Sequence, residues 1–212
     1  MNTLRKGGTN SIYKIIGASN HAIDGDREIN DYYATSPKAV LDLLELESFN
    51  KNIYECAVGE GHIAKTLEDK GYNVIGSDII NRGYKDTIIR DYLTYNPTKK
   101  INMDIITNPP YKYAREFVIK SNEILEKGNR IAMFLKVTFL EGQARKEMFK
   151  KYPPKYVYVF SKRALSAKNG EFIEKYKNKN DVIKERVRSS AVAYAWFIWE
   201  IGSTSETIVR WI

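Results

Sequence analysis

Ile53-Tyr54-Glu55-Cys56-Ala57-Val58-Gly59-Glu60-Gly61 decides how this chain folds. An apolar run ending in Gly-x-Gly and passing into Ile63 to Lys70 reads as a buried strand, a tight turn and a helix that Gly71 stops. Glycines at 59 and 61 allow a sharp turn and a close approach of backbone to a ligand. The third glycine of a dinucleotide fingerprint would fall at Ala64, so only Gly-x-Gly is present. Downstream, Asn73 to Asp78 is the next strand and Asp86 to Arg90 a short one. Asn102 to Thr107 is a clearer strand, ended by Pro109-Pro110, which can extend neither helix nor ladder. A helix over Tyr113 to Lys127, a strand over Arg130 to Lys136 and a helix over Gln143 to Lys151 follow. Lys155 to Phe160, Ala191 to Ile201 and Thr207 to Trp211 are strands. Upstream, Ser36 is an N-cap with Pro37 at the first helical position, and Val40, Leu41, Leu44 and Leu46 form the apolar stripe behind them. The pattern is α/β: a doubly wound, mostly parallel sheet of about seven strands with helices on both faces, which places ligands at the carboxyl ends of the strands.

The 212 residues suffice for one core. One cysteine and two histidines exclude a disulfide framework and a Cys-rich or His-based metal centre, and point to a reducing compartment. The longest apolar run, Ala191 to Trp199, falls far short of the roughly 20 residues that span a bilayer. Met1 to Asn10 lacks the apolar segment of a signal peptide, so the expectation is a cytoplasmic protein that binds no membrane. Residues 1–30 lack sustained periodicity and read as an N-terminal arm ahead of a single domain over 31–212. The net charge of +8 favours a polyanionic partner through phosphate contacts. That charge is concentrated: Ser161 to Arg188 carries nine Lys/Arg against four Asp/Glu, and reads as a long basic loop. Lys162, Arg163 and Lys168 of this loop and Lys112, directly after the turn at 108–111, are the candidate nucleic-acid contacts.

Three groups of residues carry chemistry. Asp78, at the end of the second strand, either accepts hydrogen bonds from both hydroxyls of a ribose or caps a helix. Asp91, followed by Tyr92, either accepts from an adenine amino group or caps a turn. Asn108-Pro109-Pro110-Tyr111 holds an amide oxygen and a backbone carbonyl with little freedom. Two such acceptors suit an amino group with two hydrogens, and Tyr111 offers a flat face to a base; the same residues also make a rigid strand-end turn with a surface tyrosine.

Tyr32 to Pro37, Glu55 to Gly61, Asp78, Asp91 and Asn108 to Tyr111, in this order, resemble the S-adenosylmethionine-dependent methyltransferases, specifically the amino-methylating DNA adenine branch of Asn-Pro-Pro-Tyr type and its phage-encoded relatives. Met133 to Lys136, Phe139 to Gly142 and Tyr194 to Glu200 extend the likeness. The resemblance implies the Rossmann-like class I methyltransferase fold. It also implies S-adenosylmethionine as cofactor, with Thr35 and Pro37 bordering its methionine end and Glu55, Ala57, Gly59 and Gly61 along its amino-acid and ribose parts. Asp78 would hold the ribose hydroxyls, Asp91 and Tyr92 would meet the adenine, Ile79 would pack on that ring, and Phe139 or Leu140 would wall the pocket.

By the same resemblance, Asn108 and the Pro109 carbonyl accept both hydrogens of the adenine amino group, so that its lone pair faces the sulfonium methyl. Tyr111 stacks the extruded base. No metal is called for, and Cys56 reads as a small core residue. The chain departs from site-reading relatives in one respect: neither the interval from Gly61 to Asn108 nor the tail holds a separate target-recognition domain. An RNA adenine or protein glutamine amino methyltransferase would use the same turn, and a non-catalytic nucleic-acid-binding protein with a relic cofactor pocket is the reading of another class.

Overall fold

The computed structural model describes residues 33–162, 166–168, 173–177, 183–187 and 192–212. The expected arm at 1–30 and the candidate Arg163 lie outside these residues. The chain runs through β1 (Tyr33–Thr35), α1 (Pro37–Leu46), β2 (Asn52–Glu55), α2 (His62–Asp69), β3 (Asn73–Asp78), β4 (Ile88–Ile89) and β5 (Asp104–Thr107). A 3-10 turn at Tyr111–Tyr113 leads into α3 (Ala114–Ile124), then β6 (Arg130–Lys136), a second 3-10 turn at Val137–Leu140, α4 (Gln143–Lys151) and β7 (Tyr156–Val159). β8 (Ser166–Lys168), β9 (Ile173–Lys177), β10 (Ile183–Val187), β11 (Tyr194–Glu200) and β12 (Ile208–Trp211) complete it.

Eight strands form the central sheet in the order β12-β7-β11-β6-β5-β2-β3-β4. Only β11 opposes its neighbours; the other pairs are parallel. This is the doubly wound α/β architecture, and the short strand expected over Asp86 to Arg90 is the two-residue β4, which pairs with the end of β3. From β2 the chain winds outward to β3 and β4, then returns to lay β5 and β6 on the other side. The switch point therefore falls between the carboxyl ends of β2 and β5, where a crevice opens.

Alternation along the strands sorts the core onto two faces. Tyr54, Ile105, Met133, Phe197 and Trp199 pack with Phe117 and Val118 of α3 and Met148 of α4. Ile53, Ile106, Phe134, Trp196 and Ile198 pack with Val40 and Leu43 of α1 and Leu67 of α2. Helix α1 starts where the sequence places it: Ser36 Oγ accepts from the Ala39 N–H, and Pro37 occupies the first turn. Its Ala39 carbonyl accepts from Trp196 Nε1 at 2.8 Å, which pins helix to sheet.

Two local readings are corrected. The strand expected over Ile53 to Val58 stops at Glu55, because Cys56 and Ala57 turn out of the ladder to build the loop beneath the crevice. The stretch 161–188 is not a loop throughout: β8 pairs antiparallel with β1, and β9 and β10 form an antiparallel ladder of their own. The sequence hides this because Lys, Glu and Arg alternate in these strands without the apolar face that announces a half-buried strand. In the register of this ladder Glu185 is paired with Lys175 and Arg186 with Glu174.

Candidate active site at the carboxyl ends of the parallel strands

A cavity of about 690 Å³ fills the crevice, within the usual range for small-molecule sites. Its floor comes from the turn after β2, with Glu55, Ala57 and Val58. One wall comes from Asp78 and Ile79 at the end of β3 with Arg90, Asp91 and Tyr92 beyond β4. The opposite wall comes from Asn108, Pro110 and Lys112 after β5, and Tyr33 to Thr35 of β1 close the rim. Among the described residues, no helix is long and apolar enough to cross a membrane.

Asp78 caps no helix, since the chain after β3 runs as a loop to β4. Its Oδ2 accepts from the Gly59 N–H at 2.9 Å and its Oδ1 from the Ile80 N–H at 3.2 Å. These bonds fix the carboxylate while each oxygen keeps a lone pair for a further donor. Asp91 turns the chain by accepting from the Leu93 N–H at 2.9 Å, and it also lines the cavity, so capping and ligand binding are compatible in one side chain. Tyr92 is buried between Tyr54 and Phe117, with its hydroxyl 2.7 Å from Ser121 Oγ.

Glu55 is 2 % exposed, and its Oε2 has no hydrogen-bond partner among the described residues. Burial pushes its carboxyl well above the usual range, while the Ala64 backbone N–H pulls the other way and Asp78 adds to the rise. Thr35 Oγ1, also buried in the lining, is likewise without a partner among the described residues. Both groups lie in one cavity and can each donate or accept a hydrogen bond there.

Glycines 59 and 61 do not line the cavity. Gly61 has φ 79° and begins α2, and a Cβ there would overlap the ring of Tyr84, as would one at Gly76 at 2.7 Å. The glycine thus admits a tyrosine of the protein rather than a ligand. Tyr84 is buried and donates its hydroxyl to Glu68 at 3.0 Å, anchoring the loop that carries Ile79 and Arg82 to the cavity. Pro37 is likewise outside the lining, as are Phe139 and Leu140. Phe139 packs edge-on against Phe149 and Phe197 in the core, so the expected wall from 139 and 140 is not formed.

The turn after β5 holds Asn108 by donation of its Nδ2 to the Tyr33 carbonyl at 2.7 Å. With the amide nitrogen committed to β1, Oδ1 is the acceptor that this side chain presents. Pro109 is buried and Pro110 lines the cavity. Tyr111 does not line it: its ring is stacked on Tyr33 with centroids 6.0 Å apart, touches Tyr194, and has Lys136 Nζ 5.0 Å from its centre. Lys112 lines the cavity, and Lys162 is exposed. The backbone of Lys168 lies directly across from Tyr33 in the β1–β8 pair.

Arg90, Arg82, Tyr113 and Phe117 line the cavity without having been picked out in the sequence. Arg90 immediately precedes Asp91, and its guanidinium lies 4.0 Å from the centre of the Tyr95 ring. A lone arginine beside an acidic residue gives no signal of a cavity until the strands bring it there.

No family model and no curated protein matches the sequence. Solved structures do match in shape. A proposed class I S-adenosylmethionine-dependent methyltransferase from Listeria monocytogenes superimposes with a TM-score of 0.56 at 12% identity, over 95% of this chain and 71% of the other. The modification subunit of a proposed type I restriction enzyme from Vibrio vulnificus gives 0.56 at 12%, over 89% of this chain and 48% of that one. A SAM-dependent O-methyltransferase from Thermotoga maritima gives 0.50 at 15%, over 80% and 66%. The fold is that of the class I methyltransferases. This chain spans about half the length of the Vibrio subunit.

Proposed function

We propose that the chain transfers a methyl group from S-adenosylmethionine to the exocyclic amino nitrogen of adenine in DNA. The observation that carries the proposal is the side chain of Asn108, held by the Tyr33 carbonyl at the end of β5 beside the cavity that also contains Asp78, Asp91 and Glu55.

The residues present fit such a cofactor. Asp78 can take both hydroxyls of a ribose, Asp91 an adenine amino group, and the unpartnered Glu55 Oε2 and Thr35 Oγ1 the amino-acid end. When bound, S-adenosylmethionine supplies an electrophilic methyl on a sulfonium. Asn108 Oδ1 and the Pro109 carbonyl then accept the two amino hydrogens of the target base. That draws nitrogen lone-pair density out of the ring and aims it, with no covalent link to the protein. Cys56 takes no part: it is buried, and burial raises its thiol far above neutrality.

A DNA substrate is supported by the net charge of +8 and by the basic stretch whose strand β8 is paired to the rim of the cavity. The test is incubation with labelled cofactor and separate pools of unmethylated DNA, RNA and protein, followed by identification of the modified residue. N6-methyladenine in DNA is the expected product. Label in RNA or on glutamine would replace the substrate, and absence of label in all three pools would refute the activity.

A further inference from the structure

Tyr84 stands behind one wall of the cavity and not in its lining. After β3 the chain turns at Gly83, whose N–H donates to Asn81 Oδ1 at 2.8 Å, and the next side chain is buried against the segments the loop has just left. The ring packs with Val58, Ala64 and Val74. One of its edges, Cδ2 and Cε2, faces Gly61 at the start of α2, and the other, Cδ1 and Cε1, faces Gly76 in β3. A Cβ at Gly61 would overlap the first edge, and one at Gly76 would lie 2.7 Å from the second. Two glycines on separate segments thus leave room for a single ring.

The ring bears on Asp78. Gly59 lies two residues before Gly61 and Asp78 two residues after Gly76, and the Gly59 N–H joins them by donating to Asp78 Oδ2 at 2.9 Å. The Val58 N–H, donating to the Ser77 carbonyl at 2.9 Å, links the same two segments. Tyr84 therefore fills one end of a seam whose other end is the carboxylate facing the cavity. The loop is closed onto that carboxylate's residue as well: the Arg90 N–H donates to the Asp78 carbonyl at 2.8 Å, and Thr87 Oγ1 to the Tyr84 carbonyl at 2.7 Å. On the helix side, the Tyr84 hydroxyl donates to Glu68 Oε1 at 3.0 Å, and Lys85 Nζ lies 3.3 Å from the same oxygen.

We propose that Tyr84 is a positioning residue for the ribose of the cofactor. Its ring sets the spacing between the turn after β2 and the end of β3, and through the Gly59–Asp78 bond it fixes the carboxylate that takes the two hydroxyls. This rests on the cofactor reading above and adds to it a residue that touches neither cofactor nor cavity. Without the ring, the seam holds a void that the flanking segments close in part by shifting. A displacement of about 1 Å at Asp78 is enough to spoil two hydrogen bonds at once, because such bonds hold only over about 2.7–3.2 Å and near-linear geometry.

Tyr84→Ala, Tyr84→Leu and Tyr84→Phe are compared with the parent by calorimetry, using S-adenosylhomocysteine and its 2′-deoxyribose analogue. Hydrogen bonds to a charged acceptor put the parent's preference for the ribose compound at roughly tenfold or more. Tyr84→Ala should bind S-adenosylhomocysteine at least tenfold more weakly and prefer it less than threefold. Tyr84→Leu should lose at least threefold in affinity and at least half of the preference. Tyr84→Phe keeps both ring edges and should stay within threefold of the parent with the preference intact. Amide hydrogen exchange of the cofactor-free chains is the second readout: the peptide holding Gly59 should exchange faster in the alanine and leucine variants, with β6 and β11 at the parental rate. Parental affinity and preference in either variant would overturn the proposal and leave the cofactor reading intact. So would weaker binding with the preference retained, exchange accelerated throughout the sheet, or failure of both variants to fold, each of which makes Tyr84 a support of the fold alone. A parent that binds both compounds alike would remove the ribose contact and the proposal with it. A parent that binds neither S-adenosylhomocysteine nor S-adenosylmethionine would refute the cofactor reading itself.

Discussion

The two halves of the central sheet differ in what they bury and in what they present at their ends. In β6, β11 and β7 the large side chains Phe134, Trp196, Phe197, Trp199 and Tyr158 are fully buried and serve packing. β2, β3 and β5 bury Ile53, Tyr54, Ile105 and Ile106 together with the small Ser77, and their last residues are Glu55, Asp78 and Thr107, with Asn108 following. Direction separates them. All strands of the second half are parallel and deliver their ends to one edge, so polar groups remote in sequence meet over one cavity. In the first half β11 runs against both neighbours, which sends consecutive ends to opposite edges.

This contrast can be broken at either half. Trp196→Ala removes a side chain that is 0 % exposed and its bond to the Ala39 carbonyl, and should cost about 3–5 kcal/mol in denaturant unfolding. A loss under 1 kcal/mol would show that the antiparallel half is not the framework. Asn108→Ala should reduce methyl transfer by about 10²–10³-fold with cofactor affinity kept, as calorimetry and labelling together would show. Equal turnover in variant and parent would remove the proposed mechanism. Asp78→Ala should act on cofactor affinity first, weakening it by about tenfold or more through loss of charge-assisted hydrogen bonds.

Glu55 sharpens the comparison because it is a carboxyl in the floor of the parallel half, and its titration has a definite sign. Its raised folded-state pKa means that the native chain binds a proton that the unfolded chain releases. The stability from this group is complete below the ordinary glutamate value and is lost as the pH climbs through the raised one. Glu55→Gln stays neutral, so its melting temperature should exceed the parent's at alkaline pH by about 2–4 °C per kcal/mol regained. The two should converge in acid, and cofactor affinity should fall in the variant. A gap that widens in acid would reverse the assignment. The smallest effect belongs to the edge: Trp211→Ala on β12, where Trp211 is 72 % exposed, should change stability by less than about 0.5 kcal/mol.

Much of this was legible in the chain. Ser36-Pro37 marks the start of α1, Pro109-Pro110 the end of β5, and the apolar runs over 73–78 and 130–136 coincide with β3 and β6. These are local signals, set by φ restriction, capping and alternation within a few residues. The ribbon of β1 and β8 was not legible, since three residues without an apolar pattern become a strand only when a partner more than a hundred residues away supplies the ladder. Gly61 shows the same limit from the other side. Its glycine could be read, but the ring of Tyr84 that requires it could not.

The sequence by itself determined the order of the helices and of the strands of the central sheet, the two-faced core and the acidic and amide residues at the strand ends, because each depends on side-chain type and short spacing. Only the tertiary structure decided which of those ends share a cavity, that Gly59, Gly61 and Pro37 stand outside its lining, and that Tyr33 stacks with Tyr111. Such facts depend on strand direction and on contacts across long stretches of chain, which no local pattern encodes.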